Sequence, residues 1–246
     1  MQKVTAKISA RRRPRNGRPH YVFIRNIACI VLAMFFIGHA VCGAQAGEVD
    51  TEKFLADLEK QRTNVETYAA RFTQQKTLAL FDETKTSSGT LFYRAPGEMI
   101  WKYEKPEKTQ MLIDGETVSF YFPELEQIEI YHMESGGASS FFSAFEANAA
   151  ELKKEFDISV FEDGSDVYRV DLKPKSESGS SQVSLITLWL DNSGYLPQKM
   201  LIRDASGDSS MIELSDIRIN EPVAEQDMRL DAPEGTPVIE GESGLF

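Results

Sequence analysis

The sequence predicts an α+β protein built on one long antiparallel sheet. Three observations carry that prediction. Strand-like segments recur at short spacing with turn residues between them. A single amphipathic helical pattern precedes them. One helical insert interrupts them near the middle. A sheet with helices on one face or at one end is an α+β layer architecture. A long antiparallel run also curls, which gives it a concave face.

Residues 1–46 stand apart from this pattern. They hold eight basic residues (Lys3, Lys7, Arg11, Arg12, Arg13, Arg15, Arg18 and Arg25) and no acid, followed by the apolar run IACIVLAMFFIGHAV at 27–41. That run is too short for a spanning helix. The small-x-small AQA at 44–46 completes a secretory signal, with Gly47 as the expected mature N-terminus. Cys42 lacks the flanking residues of a lipidation site, and Pro14-Arg15 interrupt the triple arginine as a twin-arginine signal. Of the 27 basic residues, removing those eight leaves 19 against 38 acidic ones, a net charge of −19. Such a chain repels nucleic acid, whose binding needs phosphate neutralisation. Both cysteines, Cys29 and Cys42, leave with the signal. About 200 residues can bury a core without a disulfide.

In the mature chain, residues 48–67 place Phe54, Leu55, Leu58 and Val65 on one helical stripe, with Asp50 or Thr51 as cap. YAARFTQQKTLAL then alternates as a strand. GTLFYRA and EMIWKYEKP flank Ala95-Pro96-Gly97, and TQMLI and ETVSFYF flank Asp114-Gly115. EQIEIYHM follows Pro123. Residues 135–155 place Phe141, Phe142, Phe145 and Ala149 on one helical face. FDISVFE and DVYRVDLKP flank Asp163-Gly164. VSLITLWLD and LPQKMLIRD flank Asn192-Ser193-Gly194, and SSMIELSDIRIN follows Ala205-Ser206-Gly207. From Glu221 onward the composition predicts loop, with 236–246 a flexible tail.

Catalytic signals are sparse. The mature chain has one histidine, His132, and no cysteine, which excludes thiol catalysis and histidine-rich metal sites. No phosphate loop, dinucleotide fingerprint, HExxH or GxSxG is present. The acidic runs ELEQIE and FEDGSD lack calcium-loop spacing and mark turns. His132 is expected at a strand end, and Trp101 and Trp189 in the core or lining a cavity. No cofactor and no enzymatic role are expected.

An ordered series of short elements then bears on identity. FTQ stands at 72–74, GxLxY at 89–93, PGxxxWxYxxP at 96–106 and DGxxxxxY at 114–121. The series resembles the LolA family of periplasmic lipoprotein carriers over roughly residues 50–235. The resemblance implies an unclosed, half antiparallel β-barrel with a helical lid over an apolar cavity, in a carrier domain spanning 47–235. It implies a periplasmic monomer that takes acylated lipoproteins from an inner-membrane ABC transporter and gives them to an outer-membrane acceptor. Lipid-binding candidates are Phe72, Leu91, Tyr93, Met99, Trp101, Tyr103, Phe120, Phe122, Phe141, Phe142 and Phe145, with the cavity face left open. The family's arginine directly before the Pro latches the lid, but here that position is Ala95 and Arg94 precedes it. A one-residue shift reverses a strand side chain. Arg94 is therefore either a latch re-aimed by a bulge or a charge on the outer face. The family's basic residue before the Trp is replaced by Ile100. Two alternatives keep the fold: a carrier of another lipid or acylated molecule in a dedicated export pathway, or a periplasmic sensor that binds a lipid or protein partner.

Overall fold

A computed structural model describes residues 49–115, 117–132, 149–175 and 183–241. The first element is helix α1, Thr51–Arg62. Asp50 caps it by accepting from the amides of Glu52 and Lys53 at 3.0 and 3.1 Å. The sequence predicted a helix to residue 67, yet it stops five residues earlier. The Thr63 hydroxyl and the Asn64 amide both donate to the carbonyl of Lys60, at 2.8 and 3.3 Å. These short polar side chains compete for the carbonyls the helix would use.

The first run of strands is β1 (Thr67–Leu78), β2 (Glu83–Arg94), β3 (Glu98–Lys105), β4 (Thr109–Asp114), β5 (Thr117–Phe122) and β6 (Gln127–His132). Helix α2, Ala149–Glu155, is the described part of the expected insert; Phe141, Phe142 and Phe145 lie outside the described residues. The second run is β7 (Phe156–Glu162), β8 (Val167–Pro174), β9 (Val183–Asp191), β10 (Pro197–Asp204) and β11 (Ser209–Ile219). Each expected hairpin forms. At the Asp114-Gly115 turn, Gly115 takes φ +58°, the left-handed region that glycine enters without penalty.

The two runs make one sheet because β11 returns to pair with β1. The order is β12-β6-β5-β4-β3-β2-β1-β11-β10-β9-β8-β7, so the sheet is open between its two edge strands. All pairings are antiparallel except the last. β12 (Val238–Glu240) lies parallel to β6. Within the tail expected at 236–246, residues 238–240 thus form strand: the amide of Ile128 donates to Pro237 O and that of Gly241 to Ile130 O, both at 2.8 Å, while 242–246 lie outside the described residues. An edge strand exposes unpaired amides, and β6 gains partners for its own from this segment.

Strand parity sorts the two faces. Tyr68, Ala70 and Phe72 of β1 stand beside Tyr93, Leu91 and Gly89 of β2, then Met99, Trp101 and Tyr103 of β3. On the other side they continue into Leu214, Ile212 and Met200. These side chains form one core with Phe54, Leu55 and Leu58 of α1 and Leu152 of α2. Both helices therefore lie on this inner face. Phe54 meets Tyr168 and Tyr195 at ring separations of 5.1 and 5.2 Å, which seats α1 over the β8–β10 side.

Candidate functional site

The inner face changes character along its length. Phe72, Leu91, Tyr93, Met99 and Trp101 are buried. Phe72 contacts Trp101 and Tyr103 edge-on, each at 4.9 Å between ring centres. The indole N–H of Trp101 donates to Met99 Sδ at 3.2 Å, and Tyr103 Oη donates to Gln74 Oε1 at 3.0 Å. Burial pushes the Tyr103 phenol up to about 12, so it stays neutral at physiological pH.

Further across the sheet the apolar residues are only half-buried. Tyr103, Met111, Phe120 and Phe122 make a band across β3, β4 and β5. Phe120 and Phe122 point the same way with rings 6.1 Å apart and nearly parallel. Of the sequence-predicted candidates, all eight within the described residues thus share the inner face. Met111 was missed, although it directly faces both Trp101 and Phe120 in register.

Next to Phe120 the face turns polar. β6 points Gln127, Glu129 and Tyr131 inward and its isoleucines outward, since Glu129 pairs with Phe120 and Ile130 with Ser119. Gln127 Nε2 donates to one Glu129 oxygen at 2.6 Å, and Tyr131 Oη to the other at 2.7 Å. The apolar band therefore ends on a carboxylate held by two donors.

The sequence also missed Arg62. It follows Leu58 by four residues and so extends the apolar stripe of α1, which was the available signal. Its Nε is buried. Desolvation lowers its pKa to about 10, opposed by Tyr68, Tyr93 and Asp191. A permanent cation is thereby held where α1 meets the sheet. Tyr68, beside it, is buried and donates from Oη to Pro197 O at 3.0 Å.

Arg94 does not aim at the inner face. Its strand register is regular, with Thr67 on one side and Glu98 on the other, and the only β2–β3 irregularity is at Ser88/Gly89. No bulge re-aims it, and of the two alternatives the sequence left open it takes the outer-face position. Its Nε donates to Glu98 and its Nη1 to Glu225, both at 2.6 Å. The bond to Glu225 holds the C-terminal segment against the convex face. Lys102 adds bonds to Gln226 O and Asp231, and Gln110 bonds Asp231 twice. Ile100 is fully buried on that same face, which explains an apolar residue there. Replacing Arg94 by alanine is expected to cost no more than about 1 kcal/mol, because Glu225 is largely exposed and water screens the pair. Chemical denaturation at low and high salt checks this, with binding of an apolar dye unchanged.

The convex face also has an open depression of about 420 Å³, lined by Arg71, Thr90, Phe92, Asp216 and Arg218 among others. It sits where the β1–β11 register slips between Ala69 and Arg71. Among the described residues, no three acidic, histidine or cysteine side chains cluster as metal ligands.

Comparison with known proteins is consistent with this geometry. The family model described as outer membrane lipoprotein carrier protein LolA matches residues 63–229. A protein named outer-membrane lipoprotein carrier protein from Cupriavidus necator is 28% identical, covering 86% of this chain and 95% of its own. One of the same name from Pseudomonas putida is 26% identical over 88% and 99%. Among solved structures, an uncharacterized conserved protein from Thermus thermophilus shares the fold, with a TM-score of 0.50 at 10% identity over 78% of this chain and all of its own. The family match spans well over half of the sequence and includes β1 to β11, so the chain belongs to the LolA family of outer-membrane lipoprotein carrier proteins.

Proposed function

We propose that this protein is a periplasmic carrier that binds the acyl chains of lipoproteins and ferries them from the inner to the outer membrane. The observation that carries the reading is the half-buried band of Tyr103, Met111, Phe120 and Phe122 on the inner face. Apolar surface of that kind in so acidic a chain is what an acyl cargo requires. Burying acyl chain is worth about 0.8 kcal/mol per CH₂, so a multiply acylated anchor cannot cross water unaided. The carrier works as a monomer, without covalent chemistry, after its leader is removed at Gly47. It takes its cargo from an inner-membrane ABC transporter and yields it to an outer-membrane acceptor. The lid would come from α1 and α2.

The test is a release assay. Mature protein is added to spheroplasts that retain an outer-membrane lipoprotein, and the supernatant is examined for a soluble complex. Formation of the complex supports the reading. If other lipids co-purify while no lipoprotein is released, cargo assignment moves to a different acylated molecule. Replacing Phe120 and Met111 by glutamine is expected to reduce complex formation about tenfold or more, from lost apolar burial. An unchanged yield would remove this band from the site.

A further inference from the structure

We propose that the tip of the β1–β2 hairpin is a membrane-contact device, inserting Leu80 and Phe81 into the headgroup boundary of a phospholipid bilayer. The two side chains are 86% and 70% exposed and adjacent, at the turn that joins two twelve-residue strands. Isolated exposed apolar residues are ordinary, but a neighbouring pair on a projecting tip is not.

The tip is built to hold its place. The Ala79 amide donates to Asp208 Oδ1 at 2.8 Å, so the β10–β11 turn braces it. Thr77 and Thr84 hydroxyls bond across the hairpin at 3.1 Å. Ordering a loop that presents two apolar groups to water makes sense if something else receives them.

The arrangement of two lysines behind two apolar side chains points to lipid as the recipient. Behind the tip, Lys76 and Lys85 stand directly opposite each other. Like charges in that position destabilise a sheet. Both are exposed, and they form a local cationic pair in a chain whose mature charge is −19. Four residues at about 3.3 Å each put them up to roughly 13 Å behind Leu80 and Phe81. The headgroup layer is about 5–8 Å deep a side, so lysine side chains extended toward the tip reach its phosphates. Asp82, Glu83 (3.9 Å from Lys85) and Asp208 (bonded to the Ala79 amide) stand nearer the tip than the lysines and limit the attraction. The contact is therefore weak and reversible. The rest of the acidic surface is repelled by an anionic membrane, so the tip would orient the molecule as well as touch.

Lys76 also lies on the inner-face parity of β1, in line with Phe72 and Gln74. Contact at the tip would thus bring this end of the inner face to the bilayer. The purpose assigned to the contact rests on the carrier reading; its chemistry does not.

The experiment uses mature full-length protein and vesicles of phosphatidylethanolamine and phosphatidylglycerol. Flotation is expected to carry the wild type with the vesicles, and Leu80→Asp/Phe81→Asp to lower that fraction about tenfold or more. Lys76→Glu/Lys85→Glu is expected to lower it and to remove its salt dependence. Phe81→Trp should gain fluorescence that brominated acyl chains quench. Both residues being exposed, the double aspartate variant should keep its denaturation midpoint and its dye binding. Absence of wild-type flotation, or flotation unchanged by the aspartates, overturns the inference, as does a Phe81→Trp variant whose added fluorescence is blind to brominated lipid. Those outcomes leave the carrier reading standing if lipoprotein release still occurs. Flotation without lipoprotein release does the reverse.

Discussion

Replacing Phe72 by alanine is expected to lower stability by about 3–5 kcal/mol, the range for truncating a buried aromatic side chain. Phe72 is 2% exposed and sits in β1, between β2 and β11. Its ring leans on Trp101 and Tyr103, from the strand beyond β2. It can do so because Gly89, its direct partner on β2, has no side chain in the way. Truncation would open a cavity beneath three strands and remove two ring contacts at once. Relaxation is limited, because the surrounding backbone is tied on both sides by ladder hydrogen bonds. The measure is the urea midpoint at constant slope. Phe122→Ala is the control: its ring is half-buried near the sheet's edge and stacks on Phe120 alone among the described rings. There the expected loss is below about 1.5 kcal/mol, since little apolar area leaves water. A Phe72→Ala protein with a near-native midpoint would mean that the inner face is loosely packed even at its centre.

The contrast between those two positions also separates what sequence could reveal from what it could not. The hairpins at Ala95-Pro96-Gly97, Asp114-Gly115, Asp163-Gly164, Asn192-Ser193-Gly194 and Ala205-Ser206-Gly207 were legible, because such residues state their turns locally; the β1–β2 turn, with β2 starting at Glu83, was not. The pairing of β1 with β11 was not. It joins residues about 140 apart, and no local pattern encodes it. Alternation on β1 to β5 placed eight of the expected apolar residues on one face but passed over Met111. On β6 alternation misleads, because Ile128 and Ile130 point outward while Glu129 points in. The reason lies in register, which β5 dictates through Phe120, and in β12, which places Val238 beside Ile128. β12 itself comes from a segment whose proline, glycine and acid content reads as loop.

The two arginines show the same division from the other side. Arg94 drew notice through its offset from the family pattern, and counting by two already pointed it outward. What counting could not supply was its partner, Glu225, 131 residues away. Arg62 drew no notice because a charged residue near a helix end usually lies in solvent. Its position on the apolar stripe of α1 puts it inside instead, where desolvation lowers its pKa. A helix that covers an apolar face and also buries a cation carries a desolvation penalty that purely apolar contact would not.

Gly89→Ala tests the geometry that makes this face possible. A Cβ built there would stand 2.0 Å from Lys102 O and 2.9 Å from Phe72 Cε1. The first obstacle is backbone, in the neighbouring β3, at the place where the β2–β3 register slips between Ser88 and Gly89. A carbonyl in a ladder cannot turn aside as a side chain can. The expected cost is therefore about 3 kcal/mol, the upper end for overpacking. Gly164→Ala is the comparison, since it meets no atom within 4 Å and suffers only from its φ of +85°. About 1–2 kcal/mol is expected there. The two obstacles at Gly89 are separable. If the Phe72 ring were the main one, Phe72→Leu would rescue Gly89→Ala. Because Lys102 O is nearer and fixed, the double variant is expected to be no more stable than Gly89→Ala alone. A rescue of more than about 1 kcal/mol, beyond the usual error of additivity, would show instead that the strand can shift. In that case the close approach of β3, and with it the seat of Trp101 and Tyr103 against Phe72, would be adjustable rather than fixed by the glycine.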